Sequence, residues 1–406
     1  MSTLTPLELA SGLVLGSEPR TRPRPGAMDP RAAMEGALLE PLRGGPCLVS
    51  FSGGRDSSAV LALAAAVARR EGLPLPIPAT LRFPGAQDAL ETEWQEQVVT
   101  HLGLDDWIRL ELTHELDCVG PVATRCLKRH GVLWPANAHF HAPLFAEARG
   151  GSFLTGIGGD ELLGASRWLH ARRVLAGAAA PRPHDALALA LALAPPPLRR
   201  LVTRRRIRST PFPWLRAQTA EELRRQLADD EAAEPFGWRE GILFSARHRY
   251  LHVGTRSLAL LAADENVALT HPFLAPPFVA ALAALPRAER FDSRRDAMDA
   301  IFGDLLPEPV RSRPTKASFD EAFWHEHSRE LVRRWNGEGV DTRLVDPDRL
   351  RAEWESDAPD PRTYTLLQSV KVALDLGPSA GERGEQQLAR LVEAAPAARP
   401  AKLEAG

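Results

Sequence analysis

The chain has 406 residues and a mass of 44.3 kDa, which is long enough for one large domain or two packed domains. Hydrophobic residues make up 44% of the sequence and charged residues 25%, a balance that excludes a disordered or collagen-like chain. The 50 basic and 52 acidic residues give a formal net charge of -2, so we expect no general attraction to nucleic acid or to an anionic membrane.

The cysteine content and the apolar runs favour a cytoplasmic protein. Cys47, Cys118 and Cys126 are too few for a disulfide framework and lack the paired spacing of metal ligands. The longest apolar runs fall well short of the roughly 20 residues that span a bilayer. The N-terminal region also lacks the apolar core of a secretion signal, so we expect neither export nor a membrane anchor.

Three regions are predicted along the chain. Residues 1–45 carry repeated Pro and Gly and little periodic apolar pattern, which predicts an N-terminal arm with at most one short element. The folded body is expected over 46–390, with a nucleotide-binding α/β half at 46–176 and a helical half at 177–390. The Ala/Pro-rich residues 391–406 are predicted to form a disordered tail.

The first half of the body alternates short apolar strands with helices. Strands are predicted at 47–51, within 77–83, at 107–112 and at 152–156. Helices are predicted at 57–70, at about 91–102 and between 120 and 149. This alternation predicts an α/β fold, with a parallel sheet of about five strands wound by helices and joined by right-handed crossovers. After residue 158 we predict helices and no further strand.

A Gly-rich turn, Ser52-Gly-Gly-Arg-Asp-Ser-Ser58, lies between the first predicted strand and the helix that follows. Glycines let the backbone approach an anion closely, serine hydroxyls can donate, and the helix N-terminus carries partial positive charge. The Lys-Ser/Thr pair of a Walker loop is absent. The turn predicts a pyrophosphate site formed by Ser52, Gly53, Gly54, Ser57 and Ser58, although it could also be an ordinary helix cap.

A second Gly-rich turn, Thr155-Gly-Ile-Gly-Gly-Asp-Glu161, again follows a predicted strand and opens a helix. The carboxyl ends of parallel strands line one crevice, so Asp160 and Asp56 can meet there. An aspartate inside an anion site is compatible with bound phosphate only if a cation lies between them, and Mg²⁺ is the expected cation. A glycine turn with an acidic helix cap is the simpler alternative.

Three segments together resemble the synthetase domain of the asparagine synthetases and their relatives, the β-lactam synthetases and lasso-peptide cyclases. Ser52–Ser58 resembles the pyrophosphate loop of that family, and Thr155–Gly164 resembles its Ser-Gly-Glu-Gly-Ala-Asp-Glu segment. Arg313-Pro-Thr-Lys-Ala-Ser-Phe319 is similar to its downstream Arg-x-x-Lys-x-x-Phe segment. The likeness extends over about residues 45–325.

The resemblance implies ATP-dependent activation of a carboxylate, with release of pyrophosphate and attack of an amine on the acyl adenylate. It implies that Asp56 and Asp160 hold Mg²⁺ and that Lys316 stabilises charge on pyrophosphate or on the tetrahedral species. It also implies that backbone groups near Phe51, Leu81, Thr155 and Gly156 hold the nucleotide.

Three departures from the family pattern bear on the substrate. Ile157 stands where asparagine synthetases carry Glu and β-lactam synthetases Tyr, and isoleucine can neither accept a proton nor hydrogen-bond. The family's Glu-Ala-Arg-Val-Pro-Phe-Leu-Asp reads Ala268-Leu-Thr-His-Pro-Phe-Leu-Ala275, without the polar groups expected around aspartate. Position 2 is Ser2 rather than the Cys of a glutaminase domain. We therefore expect free ammonia, ammonia from a separate amidotransferase, or a larger amine as acceptor.

Several functions are compatible with these departures. The carboxylate substrate can be a small molecule or a peptide, so macrocyclisation of a peptide by a biosynthetic enzyme competes with asparagine synthesis. A tRNA-modifying pyrophosphate-loop enzyme and a nucleotide-binding partner without catalytic activity are further alternatives. His139 is a candidate substrate contact or base, with an ordinary packed histidine as the simpler interpretation.

Overall fold

The computed structural model describes most of the chain. The described residues are 4–18, 28–84, 92–164, 166–182, 185–207, 211–312 and 323–376. The third segment of the resemblance, 313–319 with Lys316, lies outside them, and so does the predicted tail at 391–406.

The described residues contain one five-stranded sheet in which every neighbouring pair of strands is parallel, in the order β3-β2-β1-β4-β5. The strands are β1 (Cys47–Ser50), β2 (Ile77–Arg82), β3 (Ile108–Glu111), β4 (Ser152–Leu154) and β5 (Ala268–Thr270). The sheet and its covering helices confirm the predicted α/β fold.

The prediction that no strand follows residue 158 was wrong. The fifth strand, β5, is only three residues long, Ala-Leu-Thr, and so short a segment shows neither the alternation nor the apolar run that identifies a strand. It exists because it pairs with β4, where Phe153 lies opposite Leu269. Tertiary pairing therefore creates this strand where local sequence does not specify one.

Helices cover the sheet and form most of the second half of the chain. In the first half they are α1 (Pro6–Ser11), α2 (Pro30–Arg43), α3 (Arg55–Glu71), α4 (Thr92–His101), α5 (Pro121–His130), α6 (His141–Glu147), α7 (Gly159–Leu163) and α8 (Leu169–Leu175). In the second half they are α9 (Asp185–Leu193), α10 (Pro196–Arg206), α11 (Ala217–Ala233), α12 (Trp238–Ser245), α13 (Arg249–Asp264), α14 (Pro276–Ala284), α15 (Arg294–Phe302), α16 (Glu308–Ser312), α17 (Glu326–Arg334), α18 (Pro347–Trp354) and α19 (Tyr364–Lys371). Short 3₁₀ turns lie at Ala138–Phe140, Pro272–Leu274, Arg287–Glu289 and Pro361–Thr363, and a π turn at Val372–Leu376.

The N-terminal region holds more structure than its composition predicts, because α1 and α2 replace the single short element expected there. Asp29 caps α2 by accepting from the Ala32 backbone N–H at 3.0 Å. The helix then buries Met34 and Leu38 in the core beside α3. Its interior Pro41 and Gly36 mask the helical pattern in the sequence, so packing rather than propensity stabilises it.

Apolar clusters cover both faces of the sheet. On one face α2, α3, α14 and α15 bury a shared core with β1, and on the other α6 and α13 pack on β2 and β4. A third cluster joins α1 to the C-terminal helices around Trp214 and Trp354. No helix in the described ranges is both long and apolar enough to cross a bilayer.

The order of the strands fixes where the two Gly-rich turns meet. From β1 the chain proceeds to β2 and β3 on one side, whereas β4 and β5 lie on the other side. β1 pairs directly with β4, so Val49 lies opposite Leu154 and the turns that follow these strands leave the sheet side by side. Such a switch point is where ligands bind in open α/β sheets.

Candidate active site

The first turn, Ser52–Ser58, is held open by its own hydrogen bonds. Gly53 has a φ of 83°, a conformation that favours glycine. Ser57 Oγ accepts from the Ser52 N–H at 3.3 Å and donates to the Gly54 carbonyl at 3.1 Å. The first residue before α3, Gly54, supplies no side-chain cap. The positive N-terminal end of α3 is therefore available to an anion.

A glutamine that the sequence analysis did not single out supports this turn. Gln95 on α4 is buried, and its Nε2 donates to the Ser52 carbonyl at 3.1 Å. The Thr80 hydroxyl donates to the Phe51 carbonyl at 2.7 Å, and Trp107 Nε1 donates to Thr80 Oγ1 at 3.0 Å. The end of β1 is thus positioned by neighbours on β2 and α4 and by Trp107, the residue before β3.

The second turn packs directly on the first. A Cβ atom added at Gly159 would lie 2.4 Å from Asp56 Cγ, and one added at Gly156 would lie 2.9 Å from the Ser57 backbone nitrogen. No ordinary side chain fits at such distances, so glycine is required at both positions for the turns to touch. The two motifs of the sequence analysis therefore form one site.

Asp56 and Asp160 converge on the same cationic group, the guanidinium of Arg294. Arg294 Nη2 lies 2.6 Å from both carboxylate oxygens of Asp56, and Nη1 pairs with Asp160 Oδ1. Burial raises the pKa of Asp56, and Arg294 opposes that rise. Burial also lowers the pKa of Arg294, but the two carboxylates outweigh it and the net direction is upward.

The two carboxylates fit a magnesium ion. Hard carboxylate oxygens are ligands that Mg²⁺ prefers, and a typical site uses one or two of them together with phosphate oxygens and water. Among the described residues no cluster of three or more His, Cys, Asp or Glu side chains could hold a metal. The phosphates of a nucleotide would therefore have to complete the coordination of an ion at Asp56 and Asp160.

A cavity of about 210 Å³ opens at the carboxyl ends of β1 and β2. Phe51, Ser52 and Leu81 line it, three of the residues predicted to hold the nucleotide, and His141 forms part of its wall. Burial lowers the pKa of His141 to about 4, so its imidazole is neutral at pH 7. The size and the mixed apolar lining suit part of a nucleotide.

A second cavity, of about 190 Å³, lies between α7, α8 and α12, and Asp160 forms part of its wall. Asp160, Glu161, Arg172 and Glu234 contribute charged groups to its wall, and Trp238 is part of its apolar surface. Arg172 Nε is buried without a hydrogen-bond partner among the described residues. Burial lowers the pKa of Arg172, and Glu234 acts in the opposite direction.

Glu161 and Tyr250 form a polar pair beside Asp160 that the sequence analysis did not identify. The Tyr250 hydroxyl donates to Glu161 Oε1 at 3.2 Å. Burial raises the pKa of both groups, and Glu161 contributes to the rise for Tyr250. Tyr250 also stacks on His248, with ring centroids 5.1 Å apart.

Thr155 and Ile157 in the second turn have different surroundings. Thr155 Oγ1 accepts from the Ile157 N–H at 3.3 Å and lies 2.7 Å from His271 Nδ1. The Ile157 side chain packs against the apolar cluster around α6 and α13. His139 lies apart from the turns, with its ring nitrogens 3.0 and 3.1 Å from the Leu116 and Ala136 carbonyls, and is an ordinary packed histidine.

Acidification is expected to destabilise the protein through His271. Burial lowers its pKa to about 4 from an ordinary value of 6.5, so the unfolded chain takes up a proton at a higher pH than the folded protein does. The stability that the neutral His271 ring contributes is fully present above the pKa of the unfolded state. It is lost as the pH falls towards and through the pKa of the folded state. Between about pH 7 and about pH 4.5, we expect the unfolding free energy of wild type to fall by about 2 kcal/mol more than that of His271→Gln. Urea denaturation at each pH measures both changes.

The exposed His114 offers the matched control for that measurement, as His114→Gln. Its unfolding free energy at the same pH values gives the effect of a histidine-to-glutamine change outside the candidate site. Equal losses in wild type and in His271→Gln would show that the ring of His271 is not enclosed as described.

A parallel α/β sheet with two Gly-rich turns at its switch point defines a pyrophosphate-loop type of nucleotide-binding protein. Residues 42–375 match the family model described as asparagine synthase, and the chain therefore belongs to the asparagine synthase family. In general terms it is an ATP-dependent amide ligase. A comparison with curated proteins returned no match.

Proposed function

We propose that the protein activates a carboxylate with ATP and transfers the acyl group to ammonia or an amine. A carboxylate oxygen attacks the α-phosphorus, the bond between the α-phosphorus and the bridging oxygen breaks, and pyrophosphate leaves with the electron pair. The amine nitrogen then attacks the acyl carbon, the bond from that carbon to AMP breaks, and the nitrogen loses a proton. The products are an amide, AMP and pyrophosphate.

The meeting of Asp56 and Asp160 at the switch point carries this proposal. Their motifs are about a hundred residues apart in sequence, yet both carboxylates contact the Arg294 guanidinium. Beside them lie the open N-terminal end of α3 and the glycine contact at Gly159. This arrangement supports an anion site beside a cation site within one crevice, the combination that reaction at an α-phosphate requires.

Each group of this chain would then have a defined task. The backbone of Ser52–Ser58 would bind and orient pyrophosphate, and Asp56 and Asp160 would hold Mg²⁺, which would supply positive charge next to the leaving group. Lys316, which lies outside the described residues, remains predicted to stabilise charge on pyrophosphate or on the tetrahedral species.

The two cavities suit the two kinds of substrate. The cavity with Phe51 and Leu81 takes the nucleoside part of ATP, and the cavity beside Asp160 takes the carboxylate and the amine. In the second cavity Glu161 can accept a hydrogen bond from the amine, a task that Ile157 cannot perform. This assignment explains how the site can work without the family's Glu or Tyr in the second turn.

Macrocyclisation of a peptide is a second candidate, and Ile157 favours it. Its side chain is packed among apolar neighbours, so the polar group that asparagine synthetases place here is missing from the crevice. A peptide can bring its own amine and carboxylate to the site, as in the lasso-peptide cyclases. Such an enzyme needs no recognition of free aspartate.

An ATP–pyrophosphate exchange screen over candidate carboxylates tests the proposal. The screen uses wild type and Lys316→Ala, and mass spectrometry identifies the amide. AMP release driven by aspartate and ammonium would exclude the macrocyclase, and release driven only by a peptide carboxylate would exclude asparagine synthesis. ATP binding without exchange for any carboxylate would contradict the ligase and favour a nucleotide-binding partner, whereas salt-sensitive tRNA binding would favour a tRNA-modifying enzyme.

Arg172→Gln should raise the KM for the carboxylate substrate about tenfold or more, because a charged hydrogen bond contributes about 1.5 to 3 kcal/mol. The KM for ATP should stay the same, since Arg172 lines the second cavity and not the first. Steady-state kinetics measure both values. Arg173→Gln is the matched control, because Arg173 is the next residue along the same helix but is not among the residues that line the cavity. Equal shifts in the two KM values would place the substrate elsewhere.

A further inference from the structure

Arg294 is the charged group that joins the two Gly-rich turns. It is the first residue of α15, whose Ser293 cap accepts from the Asp296 backbone N–H at 3.1 Å. Further along the helix Met298 and Phe302 are fully buried in the core shared with α2 and α3. The helix is therefore anchored, and the guanidinium extends from a fixed point into the crevice.

The contact of Arg294 with Asp56 uses both carboxylate oxygens, each at 2.6 Å. The side chains of Arg294 and Asp56 are only 20% and 15% exposed, so solvent screens this pair little. Arg294 Nε is buried and has no hydrogen-bond partner among the described residues. The guanidinium is thus held through its two terminal nitrogens, by the two carboxylates.

The same carboxylate oxygens are those a divalent cation would need. A metal ion on Asp56 and Asp160 and a guanidinium that takes both oxygens of Asp56 cannot occupy the crevice together. The guanidinium of Arg294 brings one positive charge to two carboxylates, with a further contribution from Arg55 at Asp56, whereas a divalent ion by itself brings two. Electrostatics therefore favours exchange of the guanidinium for the cation once phosphate oxygens supply further ligands.

We propose, on the basis of the metal role assigned above to Asp56 and Asp160, that Arg294 is a positioning residue that competes with the divalent cation. In the nucleotide-free protein it holds the two carboxylates facing each other and keeps free cations out. When the cation arrives with ATP, Arg294 releases the oxygens of Asp56. The site therefore binds the cation with nucleotide and resists binding it alone.

Binding of Mn²⁺ to the nucleotide-free full chain tests this competition without any turnover. Electron paramagnetic resonance measures the free Mn²⁺ in each titration. We expect Arg294→Gln to bind Mn²⁺ about ten- to a hundredfold more tightly than wild type, because the cation no longer has to replace a charged hydrogen-bonded group. Arg295→Gln is the matched control: it removes the same charge from the next residue, whose side chain is 54% exposed and pairs with Glu308.

The double variant Arg294→Gln/Asp160→Asn separates this inference from the proposed function. Loss of the added Mn²⁺ affinity in the double variant supports both. Equal affinity in wild type, Arg294→Gln and Arg295→Gln overturns the competition and leaves the proposed function intact, provided that Asp160→Asn still weakens Mn²⁺·ATP binding. If the double variant still binds Mn²⁺ more tightly than wild type, the ion binds away from Asp160. That result overturns both the competition and the metal role in the proposed function.

If Arg294→Gln folds poorly, Arg294→Lys tests the same competition. Lysine keeps the positive charge but not the planar fork, so Mn²⁺ affinity should lie between those of wild type and Arg294→Gln. The midpoint of thermal unfolding provides a second readout. Both variants should be less stable than wild type without divalent ions and should gain more stability than wild type on addition of Mn²⁺. An equal gain in all three proteins overturns the competition.

Discussion

Asp160→Asn is expected to lower the rate of ATP–pyrophosphate exchange by about two to four orders of magnitude, the usual cost of losing a key electrostatic group. The amide has the size of the carboxylate but no negative charge, so it would hold more weakly the Mg²⁺ that would neutralise charge on the leaving pyrophosphate. Because the Asp160 side chain is 45% exposed, the free energy of unfolding should change by less than about 1 kcal/mol. Exchange is measured with the carboxylate that the substrate screen identifies, and stability by thermal unfolding.

Asp304→Asn controls for the loss of an aspartate charge that pairs with arginine. Asp304 is 63% exposed and pairs with Arg31 at 2.6 Å, away from both Gly-rich turns. Its exchange rate should match that of wild type within a factor of about two. An Asp160→Asn enzyme that exchanges within a few-fold of wild type would show that this carboxylate takes no part in the reaction.

The meeting of the two turns could be predicted because it follows from rules that apply over long distances in the chain. Each turn lies directly after a buried strand, and parallel strands present their carboxyl ends at one edge. The structure confirms the parallel sheet and places Asp56 and Asp160 on the same guanidinium. The order of β1 and β4 as direct neighbours needed the structure, since strand order is not encoded in any single segment.

Arg294 could not be predicted as a member of the site. It begins a helix that the sequence does indicate, but arginine is frequent in this chain and the segment carries no motif. Its position depends on packing of Met298 and Phe302 against α2 and α3, contacts that join distant parts of the chain. The local signal is Ser293 as a helix cap, and a cap marks the start of a helix rather than a functional site.

Gln95 and the Glu161–Tyr250 pair were missed for a related reason. Gln95 acts through a hydrogen bond to the Ser52 carbonyl, 43 positions away in sequence, and neither residue type marks such a contact. Tyr250 reaches Glu161 across 89 positions, from a helix in the other half of the chain. Motifs identify residues that share one turn, whereas side chains that support the turn from other elements become visible only in the fold.

Gly159→Ala is expected to lower ATP–pyrophosphate exchange at least about a hundredfold, since even a misplacement of about 1 Å at a reacting group carries a cost of this size. The new Cβ would lie 2.4 Å from Asp56 Cγ and 2.7 Å from both of its carboxylate oxygens. Asp56 must therefore move away from Arg294 and from the place of the cation. The crowding should also lower the free energy of unfolding by about 1 to 3 kcal/mol, measured by urea denaturation.

Gly36→Ala separates this effect from the intrinsic preference of alanine for helices. Gly36 lies on the exposed side of α2 with no atom within 4 Å of an added Cβ, so the same substitution should stabilise the protein by about 0.5 to 1 kcal/mol and leave exchange unchanged. Gly159 also lies in a helix, as the first residue of α7, and helix propensity alone would make its alanine variant more stable than wild type. Opposite signs of the two stability changes would therefore attribute the loss at Gly159 to its contact with Asp56. A stable and active Gly159→Ala enzyme would mean that the second turn does not pack on the first. That result would contradict the proposal that one crevice binds both the anion and the cation.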